Sequence, residues 1–122
     1  MIGNATAQSI YPFILIPDKI FQNLKSKSPN PNYISVLIHE ETHRRRQKEI
    51  GALNFFLKYI FDSKFRLEEE LIATKAAMEY LKSKGINYDF EKNAKFLSGH
   101  IYGRMISQKK AEGKLREIWE EI

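Results

Sequence analysis

The sequence predicts a mainly helical α+β domain in which a small antiparallel sheet or edge strand packs on a long helix and its helical partner. Three observations lead there. Most of the chain after Asn32 falls into stretches of helical periodicity that begin at capping residues and stop at glycines. Only residues 11–16 have the composition of a strand. The 122 residues contain no cysteine, so a hydrophobic core rather than disulfides must hold them. A single domain spanning 1–122 is expected, with 104–122 as a C-terminal helical segment.

The run Tyr11-Pro12-Phe13-Ile14-Leu15-Ile16 is apolar, β-branched and aromatic, and it stops at Pro17. Pro12 offers no N–H to a ladder, which suits a strand at a sheet edge. Breakers fill 26–32, where Pro29 and Pro31 flank Asn30, and Asn32 is placed to cap a helix over 33–50 that stops at Gly51. Residues 52–61 are apolar nearly all round, as in a segment buried between other elements or lying on a membrane or partner. Ten residues are too few to cross a bilayer. A helix over 64–84 follows, closed by Gly85 with Lys82 and Lys84 in its last turn. Asp89 can cap a short helix to about Ser98. Beyond a turn over 99–103, Ala111, Leu115, Ile118, Trp119 and Ile122 recur at helical offsets and give an amphipathic final helix.

The net charge is +5, with Arg44-Arg45-Arg46-Gln47-Lys48 as a dense basic run. Such runs bind phosphate, so a basic helical nucleic-acid-binding module is one alternative. Acidic residues are interleaved through the chain and no aromatic-basic stacking pattern accompanies the run, which favours a solvated helix face and no nucleic-acid partner. Residues 1–6 lack the basic start and apolar run of a signal peptide, and no stretch approaches the roughly 20 apolar residues of a membrane span. A cytoplasmic protein without stable membrane insertion is the expectation.

His39-Glu40-Glu41-Thr42-His43 is an HExxH motif and uses two of the three histidines. Residues four apart on a helix lie about 40° from each other, so both imidazoles can bind one metal ion. Glu40 can then reach a metal-bound water, whose pKa Zn²⁺ lowers towards neutrality, and take its proton as the water attacks a carbonyl carbon. Two solvated surface histidines would give the same letters.

A catalytic zinc site usually takes three protein ligands, and without cysteine the third is a carboxylate or His100. Glu68-Glu69-Glu70 point three ways at steps of about 100°. The wheel of 64–84 groups Leu67, Leu71, Thr74, Met78 and Leu81 on one face, with Ala73 and Ala77 beside them. Glu70 falls inside that face, Glu69 near its margin, and Glu68 on the polar side with Lys75, Glu79 and Lys82. A carboxylate in an apolar stripe is costly unless it is paired, protonated or bound to metal. Glu70 is therefore a metal-ligand candidate, with an ion pair to Arg66 or a protonated core residue as the alternatives.

The motif, followed 27 residues after His43 by Glu70-Leu71-Ile72-Ala73, resembles the gluzincin clan of zinc metallopeptidases. The short chain and the apolar strand ahead of the motif look most like the minigluzincins, minimal soluble scaffolds of that clan. The resemblance covers roughly 11–81. It implies a minimal zincin-like domain that binds Zn²⁺ through His39, His43 and Glu70, with Glu40 as general base and acid. The implied function is a zinc-dependent metalloendopeptidase acting on a peptide or protein substrate, with residues 11–16 as an upper-rim strand that pairs with extended substrate.

Where many gluzincins carry an aspartate four residues after the ligand glutamate, this chain has Thr74. His100 and Tyr102, in a glycine-flanked turn, are candidate catalytic donors to a tetrahedral oxyanion. The minigluzincin resemblance also implies a latent form in which the C-terminal segment covers the cleft, whereas the amphipathic helix there can equally bury its apolar face in the core. A catalytically inactive metal-binding scaffold is the other alternative. Peptide specificity and oligomeric state are not indicated.

Overall fold

The computed structural model describes residues 7–99 and 105–122. His100, Tyr102 and most of the expected 99–103 turn lie outside the described residues. Within them the chain forms a mainly helical α+β domain, with six helices and one two-stranded antiparallel sheet.

The sheet is a hairpin of β1 (Gln8–Ile10) and β2 (Phe13–Leu15), paired in the register Gln8↔Leu15, Ser9↔Ile14 and Ile10↔Phe13. The strand expected over 11–16 is thus shorter and has a partner. Pro12, lacking a donor, sits in the turn between the strands, after a cis Tyr11–Pro12 bond, instead of within a strand. Residues 8–10 did not stand out as a strand because Gln8 and Ser9 are polar. Ile10, Phe13 and Leu15 are exposed, while Ser9 turns inward and is buried. A short helix that the sequence pattern left unmarked, α1 (Asp18–Leu24), follows Pro17 and buries Ile20.

The motif helix is α2 (Pro31–Ile50). It starts two residues earlier than expected, because Asn30 rather than Asn32 is the cap. The Asn30 side chain accepts from the Asn32 N–H, and Pro31 occupies the first turn, where its missing N–H is no loss. Gly51 breaks the helix at φ 98°, a conformation that side-chain-bearing residues rarely adopt.

The apolar segment is α3 (Ala52–Phe61), and it is not buried all round. Phe55 is buried, whereas Leu53, Leu57, Ile60 and Phe61 face outward. Asp62 caps α4 (Ser63–Ser83) through the N–H groups of Lys64 and Phe65. Asp89 caps α5 (Phe90–Leu97) through Lys92, and Ser107 caps α6 (Gln108–Glu121) through Lys110.

α4 joins the two working parts of the molecule. Near its start Glu69 and Glu70 are buried against α2. Eight residues beyond Glu70, about 12 Å along the axis, Met78 enters the hydrophobic core with Ala94, Leu97, Ala111 and Leu115. The apolar face of α6 is used in this core, with Ile118, Trp119 and Ile122 packed around it. Lys82 Nζ also donates to the Trp119 carbonyl. No helix among the described residues is long and apolar enough to cross a membrane.

Candidate metal centre

His39 and His43 project from one face of α2 and meet Glu70 of α4. Their Nε2 atoms are 3.1 Å apart. The Glu70 carboxylate straddles the pair, with Oε1 3.3 Å from His39 Nε2 and Oε2 2.9 Å from His43 Nε2. These three side chains are a group that can hold a metal ion. Glu70 is 1% exposed and His43 3% exposed, while the His39 side chain keeps 22% of its surface in solvent. Solvent therefore reaches the group past His39.

Burial alone would push the Glu70 carboxyl up. Attraction to His43 and bonds to both imidazoles outweigh burial and hold it well below the usual carboxylate range. For His43 burial favours the neutral ring, but the Glu70 charge and bond prevail, with help from Glu40 and Glu69, and raise its pKa.

Glu40 lies on the same helix, 6% exposed and turned towards the hairpin. Ser9 Oγ is 2.6 Å from the Glu40 carbonyl oxygen and 2.8 Å from its Oε1. The Ser9 hydroxyl thus donates to either acceptor, and its bond to the carboxylate favours the charged form of Glu40. Burial nevertheless pushes the Glu40 carboxyl above its ordinary value, against the opposing pull of His39, His43 and the Ser9 bond. Two turns along, Gln47 ties the hairpin down at a second point. Its Nε2 donates to the Ser9 carbonyl at 2.9 Å, and its Oε1 accepts from Tyr11 N–H at 2.7 Å.

Other side chains complete the surroundings of the group. Tyr59 of α3 donates its hydroxyl to Glu70 Oε2 at 2.7 Å. Its one sequence signal is that a phenol within an apolar helix needs a polar partner when buried. Glu69 is 2% exposed and receives Arg46 through Nε and Nη2, at 3.0 and 2.7 Å. The wheel put Glu69 near the margin because a wheel contains only its own helix, and the partner comes from α2. Arg66 donates to the carbonyls of Tyr59 and Ile60. Thr74 is buried beside Glu70's face of α4. His100 and Tyr102, the candidate oxyanion donors, lie outside the described residues.

The basic run is largely engaged by carboxylates: Arg44 with Glu41, Arg45 at 4.0 Å from Glu49, and Arg46 with Glu69 and Glu49. No family model, curated protein or solved structure matches the chain. What the site can do therefore follows from its own atoms.

A pH dependence follows in the metal-free protein. The Glu70 contribution to stability is present above its unfolded value of 4.5 and is lost as pH falls through its lower folded value. The His43 contribution is present below 6.5 and is lost as pH rises through its higher folded value. Glu40, with its raised pKa, folds better protonated and also loses its contribution as pH rises. Metal-free protein should accordingly lose thermal stability as pH rises past about 6.5. A divalent metal ion takes deprotonated imidazoles, so its stabilising effect should grow over the same range. Melting curves with and without zinc between about pH 6 and about pH 8 read both trends, and a zinc-induced shift of equal size at both ends contradicts the account.

Proposed function

We propose that the chain is a zinc-dependent metalloendopeptidase in which His39, His43 and Glu70 hold the metal and Glu40 acts as general base and acid. The triangle of donor atoms carries this reading. Bonds of about 2.0–2.1 Å directed to the corners of a tetrahedron set ligand atoms about 3.3 Å apart. Here the Nε2 atoms are 3.1 Å apart, His39 Nε2 is 3.3 Å from Glu70 Oε1 and His43 Nε2 is 2.9 Å from Oε2, and one ligand atom from each of the three residues lies within 4.8 Å of the others. Two imidazoles and one carboxylate form a donor set suited to zinc that leaves one coordination position open.

Zinc bound there would supply a Lewis acid that polarises a peptide carbonyl and makes a water at the open position acidic near neutral pH. The rest belongs to the chain's own residues. Glu40, with Oε1 held at Ser9, accepts the water proton at Oε2 and passes it to the departing amine nitrogen. The raised pKa of Glu40 suits a group that must both take and return a proton. Gln47 occupies the Ser9 carbonyl of β1, so the outer edge of β2 is the one offered to an extended peptide by strand addition. The arginine pairing with Glu41, Glu49 and Glu69 leaves the nucleic-acid reading with little free charge on the motif helix.

Since α6 is part of the core, the test uses the full chain. Loaded with zinc, it should cleave a generic unfolded protein, lose that activity to a chelator and regain it when zinc is restored. Zinc bound without cleavage would favour the catalytically inactive metal-binding scaffold, and salt-dependent, chelator-insensitive nucleic-acid binding without zinc would favour the basic module.

A further inference from the structure

We infer that Tyr59 is a positioning residue for the metal-ligand carboxylate, fixing the rotation of Glu70 by a hydrogen bond to one of its oxygens. This inference rests on the proposed metal site. Tyr59 O–H donates to Glu70 Oε2 at 2.7 Å, the oxygen that also lies 2.9 Å from His43 Nε2, and the other oxygen, Oε1, faces His39 Nε2 at 3.3 Å. A carboxylate left to itself can rotate about its last torsion and offer one oxygen or both. A phenol fixed on one oxygen removes that freedom, as partners of metal ligands commonly do.

The phenol is itself held in place. Its ring stacks on Phe55, with centroids 5.7 Å apart and planes 17° from parallel, and Phe55 is 2% exposed. Phe65 of α4 meets Phe55 edge-on at 5.4 Å. The Tyr59 carbonyl accepts from Arg66 Nη1 at 2.6 Å, which ties the backbone of α3 to α4 next to the hydroxyl's target. Tyr59 thus reaches Glu70 from a third helix, whereas both residues that face it across the site, His39 and His43, come from α2.

Tyr59→Phe keeps the ring and its stacking and deletes only the donor. Zinc affinity, measured by competition with a chromophoric chelator, should fall roughly ten- to hundredfold, the range typical for loss of a hydrogen bond to a metal ligand. The visible absorption of the cobalt-substituted protein should change as the carboxylate is released. The same substitution made in a Glu70→Ala background should cost nothing further, because the hydroxyl acts only through that carboxylate. Unchanged affinity and cobalt spectrum in Tyr59→Phe, or an equal loss in both backgrounds, overturns the inference while leaving the metal site standing. A wild-type chain that binds no zinc overturns both.

Discussion

Glu40→Gln should bind one zinc per chain and cleave peptide bonds about 10²- to 10⁴-fold more slowly than the wild type, the usual contribution of a general base. The amide has the shape of the carboxylate and its oxygen can still accept from Ser9 Oγ, which lies 2.8 Å from Glu40 Oε1, so the hairpin stays docked on α2. It lacks the basicity to take a proton from water. His39, His43 and Glu70 are untouched, so metal content is the internal control. Parallel measurement of zinc content and turnover separates the two roles: metal retained with unchanged cleavage removes Glu40 from the mechanism.

Arg46→Ala should cost a large share of the stability of the domain. It leaves Glu69, 2% exposed, as a buried carboxylate stripped of its bidentate partner. Breaking a buried pair from one side costs about 3–5 kcal/mol, and the 32% exposure of the Arg46 side chain argues for about 3 kcal/mol. That is a substantial part of the stability of a small domain. Glu69 precedes the proposed ligand Glu70, so zinc affinity should fall as well. Arg44→Ala, which breaks only an exposed pair with Glu41, should stay within about 0.5 kcal/mol. Urea unfolding of the metal-free proteins reads the contrast, and equal effects of the two substitutions would contradict the placement of Glu69.

Much of the fold was legible because its signals are local. Asp89 caps, Gly51 and Gly85 terminate, and the four-residue spacing of His39 and His43 puts both rings on one side of α2. The burial of Glu70 was legible for a related reason: the leucines, Thr74 and Met78 of its own helix draw the apolar face that contains it. What stayed hidden depends on neighbours distant in sequence. Glu69 is buried by an arginine 23 positions earlier, and Glu70 is contacted by a tyrosine 11 positions earlier. Ser9 and Gln47 matter only because the hairpin folds back over α2, across separations of 31 to 38 residues. β1 itself was invisible because two of its three residues are polar. α3 was legible only as a pair of alternatives: a helix apolar on every side reads as buried or as lying on a membrane or partner, and within it only Phe55 is buried fully, with Tyr59 stacked on it.

The central claim is that His39, His43 and Glu70 bind one zinc ion. Its most direct test is a zinc-edge anomalous difference map from crystals of the full chain grown with zinc. A single strong peak within bonding distance of His39 Nε2, His43 Nε2 and a Glu70 carboxylate oxygen is the predicted result. A map with no peak there, in crystals whose zinc appears elsewhere or nowhere, would contradict it.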